Sequence, residues 1–322
     1  MTPIWKTLIV AIGTLLSAGA FAQSYPIKPV QMIIPISPGS GTDIVGRLVA
    51  QKLSTLWGQP VVVENRPGAG GSLGAGIAAK APPDGYTLLV HSVGALAASA
   101  ALNPKLPYDT LKDLIAIAPL VSLPQVIVVA PSTGIKSVSE LIAAAKAKPG
   151  QLNFASPGVG SGVHFTGEKF KLAAGIDVVH VPYKGGPEAM NDVMMGRATY
   201  WIPSIGTALP LIQGGKLLAL GVTSRQRSSA LPAVPTIAEA GVAGFEDAIL
   251  FGIWAPAGMS ADMLNKLARD VAQVCASPDL REQFQKLAGE PVSMAPAEFA
   301  RLVRAEFDAV AKIAKAAGLK LE

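Results

Sequence analysis

The chain contains 322 residues, half of them apolar, and carries a formal net charge of +5 with a single cysteine. The basic residues are scattered and do not cluster with aromatic residues, which excludes the usual pattern of a nucleic-acid-binding surface. The length favours two domains, and the lone Cys275 excludes a disulfide within the chain.

The first 22 residues have the pattern of a signal peptide. Lys6 precedes the apolar residues 7–16, a run too short to span a bilayer. Ala20-Phe21-Ala22 then matches the small residues that precede a signal-peptidase site. We expect cleavage after Ala22 and export of a mature chain that begins at Gln23. No direct membrane insertion is expected, because no later stretch is long and apolar enough.

Apolar runs of strand length alternate with helical patterns along the rest of the chain. Strands are predicted at residues 30–36, 60–64, 86–91, 126–130, 178–181, 198–202, 217–222 and 248–255, and from Asn153. Helices are predicted from Thr42 and Asp43, and at residues 138–148, 186–195, 261–275 and 297–317. This alternation predicts an α/β fold with parallel sheets that are covered by helices on both faces.

Three of the predicted strands lead into loops rich in glycine and serine, at residues 37–41, 65–76 and 156–164, and each loop opens a helix. The free N–H groups and the dipole at a helix N-terminus attract anions. In α/β sheets, ligands bind beyond the carboxyl ends of the strands. Many such turns bind nothing, but the recurrence of this pattern in both halves predicts one ligand cleft between two lobes.

Catalytic and metal-binding patterns are weak in this sequence. Gly70-Gly-Ser72-Leu-Gly74 matches the nucleophile elbow of hydrolases, but a six-residue loop separates it from its strand. The three histidines have no metal-ligand spacing. His91 and His180 end apolar strands, where hydrogen bonds would satisfy them, and His164 is the better functional candidate because it lies one turn into a helix.

Short motifs follow one another in a specific order over essentially the whole mature chain. They are Pro38-Gly-Ser-Gly-Thr-Asp43, Glu64-Asn-Arg-Pro-Gly-Ala-Gly-Gly71, Pro83-Asp-Gly-Tyr-Thr-Leu88, Leu106-Pro-Tyr-Asp109, Ser156-Pro-Gly-Val-Gly-Ser161 with His164 and Glu168, Val181-Pro-Tyr-Lys-Gly-Gly186, the segment 231–241, Trp254-Ala-Pro-Ala-Gly258 and Pro296-Ala-Glu-Phe299. Together they resemble the Bug/TctC family, the extracytoplasmic substrate-binding proteins of tripartite tricarboxylate transporters.

The resemblance implies a type II periplasmic-binding-protein fold, with two α/β lobes, parallel-rich sheets and a ligand cleft between the lobes. It implies a first lobe of residues 23–125 and 249–322 and a second lobe of residues 126–248. The family binds a small carboxylate and serves membrane transporter subunits. We therefore expect these partners, a periplasmic location and a monomer, with no cofactor and no metal.

The family grips a ligand carboxylate between two loops, largely through backbone groups and bridging waters. Transferred residue by residue, the resemblance implies ligand contacts on the first lobe from Ser37, Gly39, Ser40, Thr42, Asp43, Gly70, Gly71 and Ser72. On the second lobe it implies contacts from Ser156, Ser161, His164, Tyr183, Lys184, Pro203 and Ser204.

Two departures from the family pattern affect the expected ligand. Ser40 replaces a glycine and adds a hydroxyl at the grip, while Thr199 and Pro203 replace two acidic residues. Without those acids an ammonium group has no obvious partner, and an unpaired buried charge is costly. The sequence therefore favours plain mono- or dicarboxylates over amino acids. On the same strand, we expect Tyr200 and Trp201 to be core residues rather than a platform on which a ligand stacks.

Two other functions fit parts of the sequence. A ligand-sensing binding protein that serves a signalling partner would have the same cleft and the same ligand chemistry. A secreted serine hydrolase would use Ser72, but it needs a base and an oxyanion hole that the sequence does not reveal.

The signal-peptide prediction has a direct test. We expect mass spectrometry of the exported protein to give a chain that begins at or near Gln23, because Ala20-Phe21-Ala22 follows the apolar run. An exported protein that retains Lys6 would contradict this prediction.

Overall fold

Two separate β-sheets organise the residues that this computed structural model describes, 25–316 and 318. The predicted signal peptide and the cleavage point before Gln23 lie outside the described residues. The strands are β1 (Val30–Ile34), β2 (Val61–Asn65), β3 (Thr87–Ser92), β4 (Leu114–Pro124), β5 (Val126–Val129), β6 (Asn153–Ser156), β7 (Val179–Pro182), β8 (Tyr200–Trp201), β9 (Leu218–Val222), β10 (Ala248–Pro256) and β11 (Glu290–Pro291).

Helices cover both sheets. They are α1 (Gly41–Trp57), α2 (Ser72–Ala79), α3 (Val93–Leu102), α4 (Thr110–Asp113), α5 (Val138–Ala147), α6 (Gly162–Ala174), α7 (Gly186–Met194), α8 (Ile205–Gln213), α9 (Ala261–Ala276), α10 (Pro278–Lys286) and α11 (Pro296–Ala316). None of the helices within the described ranges is both long and apolar enough to cross a bilayer.

The first sheet has the order β11-β4-β10-β3-β1-β2 and the second has the order β7-β6-β8-β5-β9. β1 pairs in parallel with β2 and β3, and β6 pairs in parallel with β7 and β8. β10 and β5 add antiparallel pairs to the two sheets. We call the elements packed on the first sheet the first lobe and those packed on the second sheet the second lobe. The predicted α/β fold class, with two lobes and a cleft, is confirmed.

The strand-to-helix turn after β1 explains how the chain enters α1. The sequence pattern places the start of this helix at Thr42 and Asp43, and the structure begins it at Gly41. The Ser40 hydroxyl accepts a hydrogen bond from the N–H of Asp43 at 3.2 Å, and the Asp43 carboxylate accepts one from the N–H of Gly39 at 2.9 Å. This reciprocal capping satisfies two N–H groups at the turn and fixes the loop before α1.

Helices α3, α8 and α10 are absent from the sequence-based prediction. Nine of the ten residues of α3 are valine, alanine, leucine or glycine, so no polar face marks its period. This composition suits its position, because α3 packs on α11 and against α6. Pro210 lies inside α8, and this breaks the helical pattern that a sequence search recognises.

The chain crosses between the two sheets at two points, and both crossings belong to one buried hydrogen-bond network. Gln125 follows β4 and is fully buried; its N–H donates to the Thr223 hydroxyl at 2.8 Å, and its side-chain amide donates to the Ile202 carbonyl at 2.8 Å. On the return crossing, the N–H of Asp247 donates to the Thr223 carbonyl at 2.9 Å. The two connecting segments are therefore held side by side.

Helix α6 connects this crossing region to the cleft. The Thr166 hydroxyl donates to the side-chain oxygen of Gln125 at 2.8 Å, and Lys169 forms an ion pair with Asp247 at 2.7 Å. Phe165 from the same helix packs into an apolar cluster with residues of α3 and α11: Ala97, Ala98, Leu102, Val310 and Ala314. Helix α6 thus contacts both the crossing region and the first lobe.

The packing of α6 on its own sheet gives a stability prediction. A Cβ at Gly167 would lie 2.3 Å from the buried Phe154 ring, whereas a Cβ at Gly94 in α3 would meet only Glu306 at 3.6 Å. Alanine adds up to about 1 kcal/mol of helix propensity over glycine, but overpacking costs about 1–3 kcal/mol. We expect Gly167→Ala to lower the melting temperature and Gly94→Ala to leave it unchanged or raise it. Equal melting temperatures for the two variants would contradict this packing account.

Candidate ligand-binding site

A cavity of about 130 Å³, partly open to solvent, lies between the two lobes. We call it the inner cavity. It is bounded by the ends of β1, β3 and β8, by β10 and by the starts of several helices. Its lining consists of Ile36, Gly39, Ser40, Gly41, Thr42, His91, Ser92, Ala95, Pro157, Ser161, Gly162, Val163, Gly186, Pro187, Met190, Trp201, Pro203, Ser204, Thr207, Ile249 and Phe251.

Four serines at helix N-termini converge on the inner cavity, two from each lobe. Ser40 and Ser92 precede α1 and α3 in the first lobe, and Ser161 and Ser204 precede α6 and α8 in the second. Three of the hydroxyls accept hydrogen bonds from the third residue of their own helix, and only Ser204 makes no capping bond of this kind. The first two N–H groups of an α-helix have no partner inside the helix. At α1 and α6 these groups belong to lining residues: Gly41, Thr42, Gly162 and Val163.

The helix starts of the two lobes face each other crosswise. A Cβ at Gly41 would lie 3.3 Å from the Ser204 hydroxyl of the second lobe. A Cβ at Gly162 would lie 3.3 Å from the Ser92 hydroxyl of the first lobe. Each lobe thus places a glycine at a helix start opposite a cap serine of its partner. Because Gly41 and Gly162 have no side chains, the backbone at the starts of α1 and α6 faces the inner cavity directly.

The lining of the inner cavity contains no aspartate, glutamate, lysine or arginine. The nearby Asp43 carboxylate is engaged elsewhere, because it accepts hydrogen bonds from Gly39, from the Arg47 guanidinium at 2.9 Å and from the Asn65 side chain at 2.8 Å. Burial acts to raise the pKa of Asp43, but these donors outweigh it and lower the pKa below its ordinary value. The positive potential in the cavity therefore comes from the helix N-termini rather than from charged side chains.

A second, outer cavity of about 490 Å³ lies where the Gly-rich loop at residues 65–76 approaches the Gly-rich loop at residues 156–164. Ser37, Gly70, Gly71, Tyr183 and Lys184 line it. The Ser37 hydroxyl donates to the Lys184 carbonyl at 3.1 Å across the cleft. A Cβ at Gly70 would lie 2.1 Å from the carbonyl oxygen of Val159 in the opposite lobe, so only glycine permits this approach. The two lobes are thus in direct contact at the mouth of the cleft.

The residues predicted from the sequence divide into three groups. Gly39, Ser40, Thr42, Ser161, Pro203 and Ser204 line the inner cavity, and Ser37, Gly70, Gly71, Tyr183 and Lys184 line the outer one. Four others line neither cavity and make internal hydrogen bonds instead: Asp43, Ser72, Ser156 and His164. The Tyr183 hydroxyl is also engaged, because it donates to Asp192 at 2.8 Å.

Ser72 does not have the geometry of an activated nucleophile. Its hydroxyl donates to the Ala69 carbonyl at 2.9 Å, which closes the turn before α2. His91, which lies next to Gly71, makes no hydrogen bond to Ser72 in the described structure. The nucleophile–base contact on which a serine hydrolase depends is therefore not formed between these two residues.

His164 supports the second-lobe loop from behind. Its Nδ1 accepts a hydrogen bond from the Gly160 N–H at 3.2 Å, and its ring stacks on His180 with centroids 4.0 Å apart. His180 in turn lies 2.6 Å from the Ser156 hydroxyl. Burial, reinforced by the Lys171 charge, lowers the pKa of His164 to about 4, and burial with the nearby His164 lowers that of His180 to about 3. The loop is therefore held by two neutral imidazoles.

Sequence reasoning did not identify several lining residues, of which His91 and Trp201 are the most informative. The interpretation of His91 as satisfied by hydrogen bonds is wrong, because neither ring nitrogen has a partner in the described structure. Trp201 is buried, as a core residue would be, but its side chain also forms part of the cavity wall. Ser92 could have been found as an N-cap, had α3 been recognised.

The two-lobed fold and the interlobe cavity define a periplasmic binding protein. A model of the tripartite tricarboxylate transporter family receptor, TctC, matches residues 45–319. Protein BugT of Bordetella pertussis is 36% identical over 324 residues, covering 100% of this chain and 99% of BugT. The chain therefore belongs to the TctC family, and the resemblance inferred from its motifs is confirmed.

Solved structures agree with this assignment. The structure of R. palustris Rpa4515 with adipate has a TM-score of 0.87 and 32% identity, covering 92% of this chain and 99% of that one. MatC from Rhodopseudomonas palustris with bound malate has a TM-score of 0.83 and 31% identity, covering 90% of this chain and 99% of that one. TctC proteins form a family of receptors rather than of enzymes.

The buried histidines give a prediction on pH dependence. The unfolded chain binds protons near the ordinary histidine pKa of 6.5, whereas folded His164 does so only near 4. Folding stability is therefore fully present above about pH 6.5 and falls as the pH drops towards 4. In the variant His164→Asn, the side-chain amide oxygen can still accept the hydrogen bond from the Gly160 N–H. Unlike the imidazole, the amide does not take up a proton in this pH range. We expect the free energy of unfolding of this variant, measured with urea, to fall less over that interval.

His91 and His180 remain buried in the variant, and burial is the main cause of their lowered pKa values, so its stability keeps part of the pH dependence. A pH profile of His164→Asn parallel to that of the wild type would contradict the assignment of a neutral His164 in the folded state.

Proposed function

We propose that this protein is a periplasmic solute-binding protein that captures a small carboxylate between its lobes and delivers it to membrane subunits of a tripartite tricarboxylate-type transporter. The observation that carries the proposal is the crosswise pairing of helix N-termini around an uncharged cavity. Carboxylates are among the few biological groups that use several N–H donors at once. The adipate and malate in the structures of Rpa4515 and MatC support this ligand class.

One carboxylate suffices to engage both lobes. Phe251 lies beside Gly41, and Ile249 lies beside Gly162. These two residues are two positions apart on β10, a separation of about 7 Å along a strand. That is about the span of one carboxylate with a hydrogen bond on each side. We infer that one oxygen faces the start of α1 and the other faces the start of α6.

The absence of charged side chains from the cavity lining argues against an amino acid as the ligand. An ammonium group would enter a lining with no carboxylate, next to helix N-termini that repel positive charge. Thr199 and Pro203 stand where the family pattern has acids, and Asp43 is already engaged by three donors. The ligand is therefore an acid without an amino group.

Closure of the lobes on the ligand is part of the proposal, because the proposed contacts come from both lobes. We propose that residues 23–125 and 249–322 move as one unit, and residues 126–248 as the other. The bend would occur near residues 123–126 and near residues 247–250, and the protein would act as a monomer. Export through the N-terminal 22 residues would place it in the periplasm.

The ligand class is tested with matched pairs of acids in calorimetry and thermal-shift assays. We expect succinate to bind more tightly than aspartate, and benzoate more tightly than phenylalanine. A ligand at 100 times its dissociation constant adds about 2.7 kcal/mol to stability. Solution scattering of the same samples should show compaction on binding. Tighter binding of the amino-acid member in both pairs, or no response to any carboxylate, would overturn the proposal.

The site itself is tested with two glycine variants. Gly41→Ala and Gly162→Ala each add a methyl group between a helix start and the opposing cap serine. Alanine is well tolerated in a helix, so we expect both variants to fold, but the crowded contact should weaken carboxylate binding about tenfold or more. Gly94→Ala, which does not line the inner cavity, is the matched control. Unchanged affinity in both cavity variants would place the ligand elsewhere.

A further inference from the structure

A cavity of about 270 Å³ lies next to the inner cavity, between α3, α6, α11 and β10. We call it the side cavity. Ser92, Gly162 and Ile249 line both cavities, so the two are neighbours at the start of α6. In contrast to the inner cavity, the side cavity has charged residues in its lining, and these are Lys169, Asp247 and Glu306. Carboxylate binding at the helix starts makes no use of these charges.

Lys169 forms ion pairs with both carboxylates. Its Nζ lies 2.7 Å from Oδ1 of Asp247 and 4.0 Å from Oε1 of Glu306. The three side chains are between 9% and 33% exposed, so water screens these charges less than it would on an open surface. Burial acts to lower the pKa of Lys169, but the charges of Asp247 and Glu306 outweigh it and raise the pKa. Lys169 is therefore charged in the folded protein.

The two ion pairs differ in the lobes that they join. Lys169 lies on α6, and Asp247 lies at the return crossing, where its N–H donates to the Thr223 carbonyl of the second lobe. Both belong to residues 126–248, which form one unit in the proposed closure. Glu306 lies on α11, which packs on β4 of the first sheet. The pair of Lys169 with Asp247 thus lies within one unit, and the pair of Lys169 with Glu306 joins the two units.

Helix α6 connects this interlobe ion pair to the ligand site. Gly162 at its start lines the inner cavity, and Lys169 lies seven residues further on, a rise of about 10 Å along the helix. Because one continuous helix carries both residues, the closure that brings Gly162 to the ligand also brings Lys169 to Glu306. An interaction that stabilises the closed form raises the apparent affinity for any ligand that requires closure.

We propose that Lys169 and Glu306 form an interlobe latch that stabilises the closed form and slows release of the ligand. Both are positioning residues, because neither lines the inner cavity and they act through α6. Asp247 holds the Lys169 ammonium in place on its own lobe. This inference rests on the proposed closure around a carboxylate and adds the control of release to it.

Glu306→Gln tests the latch, because it removes one charge and leaves the pair of Lys169 with Asp247 intact. We expect the affinity for succinate and benzoate to fall about two- to fivefold, as the loss of a partly exposed ion pair would cause. In stopped-flow measurements the loss should appear as faster dissociation with an unchanged association rate. Glu298→Gln, exposed in the first turn of the same helix, is the matched control and should keep the wild-type rates. Equal dissociation rates in wild type and Glu306→Gln would overturn the latch.

Variants of Lys169 separate its charge from its packing. Lys169→Arg keeps the charge and should keep the wild-type dissociation rate, whereas Lys169→Met keeps an apolar stem and should release ligand at least as fast as Glu306→Gln. If the two residues act as a pair, adding Glu306→Gln to Lys169→Met has no further effect. A further acceleration in the double variant would show that Glu306 acts without Lys169, and this would overturn the latch.

A measurement without ligand keeps the latch testable apart from the proposed function. Cys275 is the only cysteine and is buried, so Val62→Cys and Val179→Cys provide one exposed labelling position on each lobe. Opening separates the lobes, so energy transfer between dyes at these positions should be lower in Glu306→Gln than in the protein with Glu306. If no carboxylate binds, the proposed function fails and this measurement decides the latch. Equal energy transfer in the two proteins would then overturn it.

Discussion

The unpaired N–H groups at the starts of α1 and α6 are the constraint on which the rest of this structure depends. An N–H group removed from water without a partner is unfavourable, so two helix starts that line one cavity between the lobes need an acceptor in that cavity. The cap serines satisfy the third N–H of three helices and leave the first two directed at the cavity. Gly41 and Gly162 keep that volume free of side chains.

Polar side chains near the inner cavity hold its loops in place but do not line the cavity. On the first lobe, Asp43 binds the loop backbone, Arg47 and Asn65, so that its charge is neutralised outside the cavity. On the second lobe, His164 and His180 hold the loop from behind as neutral rings. A site built from backbone dipoles attracts an anion without any fixed cation. Its selectivity between anions must then come from the shape and polarity of the walls.

Much of this fold follows from local patterns in the sequence, and most of the cavity wall does not. The strands around β1 and β6 are apolar runs followed by glycine-rich loops, so the sequence predicts both the parallel pairs and the loops at their ends. Ser161 and the glycines of the loops follow from capping and turn chemistry. His91, Trp201 and Phe251 belong to three strands far apart in sequence, and only tertiary packing brings them to one volume. The sequence does not predict helix α3, because a helix made almost entirely of valine, alanine, leucine and glycine has no amphipathic period.

The crosswise arrangement of glycine and cap serine has a consequence for kinetics. Each lobe alone holds only half of the donors, so an open cleft offers a ligand no complete site. A ligand held by both halves leaves only when the lobes separate, and its residence time is then set by the rate of opening rather than by the strength of any single contact. In the proposed closure, the two chain crossings and the contacts of α6 with Asp247 lie where the chain would bend. In the proposed transport role, a membrane partner would release the solute by pulling the lobes apart, without touching the solute.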